Sequence, residues 1–291
     1  MKNLLPILLL LMSAEAFSQD KNAPFPTFDA EAHRGGRGLM PENTIPAMKD
    51  AIDRNVTTLE MDLHITKDGQ VIVSHDAWFN PLITTTPDGK FLEKDEKRLL
   101  YSMPYDSIAK YDVGLKPFPE FPRQKKMAVK KPLLSDLIDE SETYAKSRKK
   151  TMWYNMEIKS SPEGDGTEHP APEEFVEKVI TLLRKKNLLG RTVIQSFDVR
   201  PLQIIHKKYP DVKLSFLTGK GGEDVDGQLK RLGFTPFIYS PYYTLVSEAS
   251  VVHCHALGMK VVPWTANKAE EIEKLKALKV DGVITDFPDL F

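Results

Sequence analysis

The sequence has little cysteine and no excess of charge of either sign. A single cysteine, Cys254, stands among 291 residues, which excludes an intramolecular disulfide framework and a zinc cluster built from cysteines. We expect its side chain to pack a helix against its neighbours. The 40 Lys and Arg residues nearly balance the 41 Asp and Glu residues. The chain therefore lacks the basic excess that nonspecific nucleic-acid binding needs, and we expect no nucleic-acid partner.

The sequence also has no apolar run of the roughly 20 residues that a membrane-spanning helix requires. A shorter run over residues 4–12 follows a basic start, and small residues follow it at Ala16 and Ser18. This order is typical of a secretory signal. We predict a signal peptide over residues 1–18 and a mature chain, 19–291, that is exported to the periplasm or secreted, without a stable membrane anchor.

Short β-like runs alternate with helical periodicity along the mature chain, which is typical of βα units around a parallel sheet. The predicted strands are residues 30–34, 58–65, 152–158, 192–197, 213–217, 236–240, 260–265 and 282–285. The predicted helices are residues 44–53, 133–147, 173–186, 199–208, 222–232, 245–257 and 268–278. Eight strands with interleaved helices predict a single α/β domain, a TIM-type (β/α)8 barrel, and a doubly wound open sheet is the alternative.

One region interrupts this alternation after the second strand. Residues 66–132 contain an additional strand, 70–74, and then a stretch rich in proline and turn-forming residues. We predict an elaborated insertion over one end of the barrel rather than another βα unit. Local positive charge comes from Lys125, Lys126, Lys130 and Lys131. We expect these lysines to be solvated, with attraction of an anionic substrate as the alternative.

The second predicted strand carries acidic residues in alternation with apolar ones. Glu60, Asp62 and His64 share one face, since successive strand side chains point to opposite sides. In a barrel this polar face points inward. Buried carboxylates are costly unless they are paired or bind a metal, and oxygen-rich sites suit Mg²⁺ or Ca²⁺.

The third predicted strand repeats this pattern with Glu157 and Lys159. Glu60, Asp62 and Glu157 together predict a site for one divalent metal, with Lys159 beside it as a fixed cation. The alternative for each residue by itself is an amphipathic strand with salt bridges.

Two histidines lie at or just after the ends of predicted strands. His33 and Arg34 precede a glycine-rich turn, and His75 follows the additional strand. A guanidinium offers a planar set of donors that suits a phosphate, and a pair of histidines suits general acid and base catalysis. Trp264, near the end of the seventh strand, could cover the apolar face of a bound organic group or pack under the barrel rim.

Six segments make the chain resemble the glycerophosphodiester phosphodiesterase family. They are HRGGRGLMPENTIPA (33–47), EMDLHITKDGQVIVSHD (60–76), MEIKS (156–160), QSFD (195–198), PWTAN (263–267) and DGVITDFPD (281–289). They span nearly all of the mature chain in the family's order. One departure lies after His75-Asp76, where residues 77–80 replace the Arg-Thr-Thr stretch common in the family, so the covering loop and the leaving-group preference can differ.

The resemblance implies a TIM-like barrel that hydrolyses glycerophosphodiesters to sn-glycerol 3-phosphate and an alcohol with a divalent metal, Ca²⁺ or Mg²⁺. It assigns metal binding to Glu60, Asp62 and Glu157. By the same carry-over, Arg34 and Lys159 hold the phosphate.

The resemblance also makes His33 and His75 the acid/base pair, with their individual roles open. The nucleophile is either water or the neighbouring glycerol hydroxyl, and the head group and oligomeric state stay open. The alternatives are a phospholipase acting on membranes and a noncatalytic solute-binding protein. A membrane-acting phospholipase would need an amphipathic docking helix, and the sequence shows none. A solute-binding protein would have no need of two histidines beside three carboxylates.

Overall fold

The computed structural model describes residues 23–219 and 224–291, and the predicted signal peptide lies outside them. The strands within these ranges are β1 (Asp29–Ala32), β2 (Thr58–Ile65), β3 (Val71–Val73), β4 (Trp153–Ile158), β5 (Thr192–Ser196), β6 (Lys213–Thr218), β7 (Ile238–Pro241), β8 (Lys260–Val261) and β9 (Gly282–Thr285). The α-helices are α1 (Ile45–Asp53), α2 (Tyr105–Ile108), α3 (Leu134–Ser147), α4 (Pro172–Lys185), α5 (Val199–Lys208), α6 (Val225–Leu232), α7 (Glu248–Ala256) and α8 (Ala269–Ala277).

Eight of the strands form a parallel sheet in the order β8-β7-β6-β5-β4-β2-β1-β9, and β3 pairs antiparallel with β2. Backbone hydrogen bonds link the two ends: the Asp281 amide donates to Val261 at 2.8 Å and the Ile284 amide to Pro263 at 2.9 Å. The sheet is therefore a nearly closed barrel with alternating helices. This confirms the TIM-type fold and excludes the doubly wound sheet.

Strand β2 shows how the sequence pattern produces the two layers of the barrel. All eight of its residues are buried. Leu59, Met61, Leu63 and Ile65 belong to the apolar core that also includes Met48 of α1. Full burial of each such side chain contributes about 1.5–3 kcal/mol relative to exposure. The alternate residues, Glu60 and Asp62 among them, are thereby directed to the barrel interior.

Two predicted strands extend two or more residues beyond the C-terminal ends of the observed strands. β1 ends at Ala32 rather than residue 34, because His33–Gly35 forms a 3₁₀ turn in which Arg34 has a φ of 52°. β8 ends at Val261 rather than residue 265. Proline cannot donate to a ladder, so Pro263 ends the regular pairing.

Two predicted helices start three residues later than expected. α7 begins at Glu248 instead of residue 245, because Ser247 and Ser250 form a reciprocal capping box. α6 begins at Val225, because Asp224 is its N-cap residue and the Asp224 side chain accepts from the Gly227 amide at 2.9 Å. Residues 222–223 of that predicted helix lie outside the described residues. Cys254 is fully buried on α7, as predicted.

The region 66–132 contains β3, α2 and a small apolar core of its own that includes Phe79, Leu100 and Tyr111. The expectation that Lys131 is solvated was wrong. Its side chain is buried, and its Nζ atom donates to Ser74 Oγ at 2.8 Å. Across the described residues, no helix is long and apolar enough to span a bilayer.

Candidate active site

A cavity of about 240 Å³ opens at the C-terminal ends of the barrel strands, and we call it the main cavity. It is lined by His33, Arg34, Arg37, Glu60, His75, Glu157, Lys159, Gln195, Phe197, Leu217, Trp264, Thr265 and Ile284. Seven of the eight predicted site residues are among them. The eighth, Asp62, is buried beside Glu60 and Glu157. The structure therefore brings together residues that the sequence separates by more than 230 positions.

Three carboxylates converge at the floor of the main cavity. Glu60, Asp62 and Glu157 each place one oxygen within 4.8 Å of the others, and all three are buried. The β2–β4 register produces this arrangement, because Asp62 and Glu157 are direct neighbours across the ladder. Within the described residues, this is the one group of three or more such side chains with metal-binding spacing.

One carboxylate oxygen of Asp62 is hydrogen-bonded to the protein, and the other has no hydrogen-bond partner in the described part of the chain. Its Oδ2 atom accepts from Asn43 Nδ2 at 2.8 Å, and the Asn43 side-chain oxygen accepts from the Asp62 amide at 3.2 Å. Its Oδ1 atom is buried and has no hydrogen-bond partner among the described residues. A buried carboxylate oxygen without a hydrogen-bond partner, beside two further carboxylates, fits a divalent cation, which would supply the missing interaction.

The charges of the three carboxylates also favour a cation. Burial and the Asp62 charge raise the pKa of Glu60 well above its usual value, and burial raises that of Glu157 despite Lys159. For Asp62 the effect of burial is outweighed by Arg34 and Lys159, so its pKa is lowered. Three neighbouring carboxylates in a buried site repel one another, and a divalent cation removes this repulsion.

Glu60 is oriented by neighbours on both sides. Its Oε2 atom accepts from the Arg34 amide at 2.7 Å, and its Oε1 atom accepts from Gln195 Nε2 at 2.9 Å. The first bond depends on the left-handed backbone of Arg34, which costs roughly 1–2 kcal/mol in a residue with a side chain. Asn155 Nδ2 in turn donates to Gln195 Oε1 at 3.0 Å and to Glu31 at 2.8 Å. A row of hydrogen bonds thus runs from the barrel interior to Glu60.

Two cations flank the carboxylates. Arg34 Nη1 donates to Glu42 at 3.2 Å, and its Nε atom lies 3.4 Å from Asp62 Oδ2. Lys159 Nζ lies 3.0 Å from Glu157 Oε1 and 3.8 Å from Asp62 Oδ1. Burial disfavours the charge on Lys159, but the Glu157 and Asp62 carboxylates outweigh this and raise its pKa. Both cations line the main cavity, where they can meet an anionic phosphate.

His33 is paired with a carboxylate from the far end of the chain. Its Nδ1 atom lies 2.5 Å from Oδ1 of Asp286, which also accepts from Arg37 Nε at 2.8 Å. Burial would raise the pKa of Asp286, but His33 and Arg37 lower it, so this carboxylate is ionised and can only accept. The proton therefore lies on Nδ1. Burial lowers the pKa of His33 to about 4, which leaves its Nε2 atom free to accept a proton.

The glycine-rich turn makes this pairing possible. The Gly38 amide donates to the backbone oxygen of Asp286 at 2.9 Å. A Cβ atom at Gly38 would lie 2.4 Å from the Phe287 ring, so a larger residue would push the turn away from the end of β9. The glycine is needed for close approach of the two segments.

His75 lines the same cavity and has a carboxylate neighbour of its own. Its Nδ1 atom lies 2.9 Å from Asp76 Oδ1, and Asn80 Nδ2 donates to the other oxygen at 2.9 Å. The side chain of His75 is 31% exposed, whereas that of His33 is 14% exposed, so His75 has the easier exchange of protons with solvent.

Trp264 forms part of the wall of the main cavity. Its indole N–H donates to the Ser240 backbone oxygen at 3.1 Å, and its ring packs edge-on against Phe197 with centroids 5.3 Å apart. Trp264 is thus anchored in the rim and also faces the cavity, so the two alternatives drawn from the sequence are compatible.

Several supporting residues were not identified from the sequence. Asp286, Gln195, Asn43 and Arg37 all lie within the recognised segments, yet nothing in their spacing assigns them to particular partners. Asn43 has a positive φ, a backbone conformation that asparagine adopts more readily than most other residues. This angle is visible only in the structure. Among the other histidines, His169, His253 and His255 do not line the main cavity.

The sequence is similar to that of known proteins along most of the chain. The model of the glycerophosphoryl diester phosphodiesterase family matches residues 33–290. A glycerophosphodiester phosphodiesterase from Bacillus altitudinis is 30% identical over 261 residues, which cover 89% of this chain and 94% of that protein. One from Caldanaerobacter subterraneus is 29% identical over 258 residues, covering 89% and 93% of the two chains.

Solved structures of phosphodiesterases are also similar to this chain in fold. A glycerophosphoryl diester phosphodiesterase structure from Silicibacter pomeroyi superposes with a TM-score of 0.81 at 27% identity, covering 93% of each chain. A phosphodiesterase from Oleispira antarctica, solved with its product sn-glycerol-3-phosphate, has a TM-score of 0.69 at 20% identity and covers 89% of this chain and 93% of its own. The second likeness shows a shared fold.

Proposed function

Since this chain belongs to the glycerophosphoryl diester phosphodiesterase family, we propose that it hydrolyses glycerophosphodiesters to sn-glycerol 3-phosphate and an alcohol by metal-dependent histidine catalysis. The observation that carries this proposal is the convergence of three buried carboxylates, two cations and two histidines in and beside the main cavity. A chain that only bound phosphodiesters would not need two proton-transfer groups beside a metal site.

Glu60, Asp62 and Glu157 would hold the metal, with the Asp62 Oδ1 atom, which has no hydrogen-bond partner among the described residues, as one ligand. Oxygen ligands alone favour a hard cation, and Ca²⁺ and Mg²⁺ both meet this requirement. A bound divalent cation supplies neutralisation of the charge that develops on the phosphoryl oxygens. Arg34 and Lys159 add to this from the protein side, since both cations reach the same cavity.

The two histidines divide the proton transfers. His33 is neutral near pH 7 and holds its proton on Nδ1, so its Nε2 atom accepts the proton of the attacking hydroxyl. His75 donates a proton to the alcohol oxygen as the bond from phosphorus to that oxygen breaks. The neighbouring Asp76 carboxylate lies 2.9 Å from Nδ1 of this ring and orients it. Either water attacks phosphorus directly, or the adjacent glycerol hydroxyl attacks to give a cyclic phosphate, which water then opens to sn-glycerol 3-phosphate.

An assay of product release tests the proposal. Protein stripped with a chelator is supplied with Ca²⁺ or Mg²⁺ in separate reactions, and release of sn-glycerol 3-phosphate from a panel of glycerophosphodiesters is measured. We expect no turnover without metal and recovery with at least one of the two ions. Equal turnover before and after chelation would overturn metal dependence while leaving hydrolysis itself in place.

We also propose that the mature enzyme works outside the cytoplasm, on the basis of the basic, apolar and small residues over 1–18. Expression with the full N-terminus followed by fractionation tests this, with N-terminal sequencing of the exported form. A mature chain that starts at Gln19 supports cleavage after Ser18, whereas uncleaved protein confined to the cytoplasm would contradict it.

A further inference from the structure

A second cavity, of about 230 Å³, adjoins the main cavity, and we call it the side cavity. The two share four lining residues, His75, Glu157, Lys159 and Phe197. Arg34 and His33 line only the main cavity. A phosphodiester with its phosphate near Lys159 can therefore extend one of its two alcohols past His75 into the side cavity.

Aromatic rings form part of the walls of the side cavity. Trp78 is partly buried and Phe197 is 39% exposed. The ammonium of Lys97, which does not line the cavity, lies 4.2 Å from the centroid of the Trp78 ring, so this indole already contacts one cation. Aromatic rings at the wall of a small cavity suit a ligand with apolar groups or with a positive charge.

Most charged groups around the side cavity are already paired. Glu157 is paired with Lys159, and Asp76 accepts hydrogen bonds from His75 and Asn80.

Glu168 differs from these groups. It is partly buried, it lines the side cavity, and its carboxylate makes no hydrogen bond or ion pair with any residue in the described ranges. A partly desolvated carboxylate without a protein partner favours a positively charged ligand.

The loop that carries Glu168 is held in shape by the next residue. His169 is 2% exposed; its Nε2 atom accepts from the Ser161 amide at 3.0 Å, and its Nδ1 atom donates to the Pro170 oxygen at 2.9 Å. A Cβ atom at Gly164 would lie 2.5 Å from Nε2 of His169, so the loop packs closely around this ring. Glu168 is thus presented to the cavity by a preformed loop, which reduces the entropy lost on binding.

We propose that the side cavity binds the alcohol part of the substrate and selects a cationic amino alcohol, such as choline. Glu168 is the counter-charge, and Trp78 and Phe197 are the apolar walls. This inference rests on the proposed hydrolysis and specifies which glycerophosphodiesters are the better substrates. The residues involved are specificity-determining and take no part in the proton transfers.

Two substrates with the same glycerol phosphate and different head groups test the proposal. The kcat/KM of metal-saturated wild-type enzyme is measured on glycerophosphocholine, which is cationic at its head group, and on glycerophosphoglycerol, which is neutral there. The same measurements are made on Glu168→Gln and Trp78→Leu. The control is Glu163→Gln, which removes an exposed carboxylate from the same loop outside the cavity.

We expect wild type to prefer glycerophosphocholine. Glu168→Gln should lower kcat/KM for this ester about fivefold, mainly through KM, as loss of a partly screened charge pair predicts. Trp78→Leu should act in the same direction. Turnover of glycerophosphoglycerol should change less than about twofold in both variants, and Glu163→Gln should resemble wild type.

The outcomes distinguish failure of the head-group inference from failure of the proposed hydrolysis. Hydrolysis of both esters without preference, or equal loss of both in Glu168→Gln, would overturn the inference and leave the proposed function standing. Absence of turnover with either ester, in folded protein supplied with each metal, would overturn the proposed function and the inference together.

Discussion

His33 Nδ1 lies 2.5 Å from Asp286 Oδ1, although the two residues are 253 positions apart. The contact joins the turn after the first strand to the end of the last strand, where β1 and β9 pair in parallel. Closing of the barrel therefore positions the proposed proton-transfer group.

Replacement of Asp286 by asparagine should reduce kcat by at least about tenfold, with a smaller change in KM. The amide can donate as well as accept, so it no longer fixes the proton on Nδ1 of His33. Steady-state kinetics check this. Asp289→Asn, a nearby change to a carboxylate bound by Arg123 on the surface, is the control and should keep near-normal kcat.

Removal of either histidine should nearly abolish turnover. Loss of a general acid or base typically costs about 10²–10⁴-fold, so we expect His33→Ala and His75→Ala each to fall in this range. Circular dichroism should show an intact fold for both variants, and His255→Ala on α7 serves as a matched control. Near-normal activity in both site variants would refute their assignment.

The pH dependence should reflect the lowered pKa of His33. Its neutral form persists down to about pH 4, because burial outweighs the Asp286 charge. At saturating metal, kcat/KM should therefore stay high below pH 6.5, where an ordinary histidine is protonated, and should fall as the pH drops through about 4. An acid limb near 6.5 in folded protein would contradict His33 as the base.

Metal binding should stabilise the folded protein through the three carboxylates. A ligand present at 100 times its Kd adds about 2.7 kcal/mol to the free energy of unfolding, so Ca²⁺ or Mg²⁺ should raise Tm measurably. Asp62→Asn should abolish most of this shift, and Asp68→Asn, at the exposed turn before β3, should retain it. Thermal unfolding of chelated protein with and without each ion provides the measurement.

Gln195 should affect the metal through Glu60. Its Nε2 atom donates to Glu60 Oε1 at 2.9 Å, and groups that orient a metal ligand are typically worth 10–100-fold in affinity or activity. We expect Gln195→Leu to weaken metal binding by about tenfold, with activity recovered at higher metal concentration. Gln203→Leu, on α5, is the control. Unchanged metal affinity would show that Glu60 is held without Gln195.

The alternation of Glu60 and Asp62 with apolar neighbours was enough to predict a buried polar face, because strand geometry is local. The βα alternation was likewise enough to predict the barrel. The ends of elements were less accurate. The left-handed Arg34 ended β1 early, and a capping box moved the start of α7. These features depend on backbone angles and side-chain bonds that composition does not specify.

By itself the sequence determined the order of strands and helices and the identity of the residues whose side chains can take part in catalysis or binding. Tertiary structure alone decided which of them meet: Asp286 with His33, Gln195 with Glu60, and Lys131 with Ser74 in a buried position. The physical reason is that these contacts depend on strand register and on closure of the barrel. Both are set by the sum of many packing interactions between distant segments, so no short motif contains them.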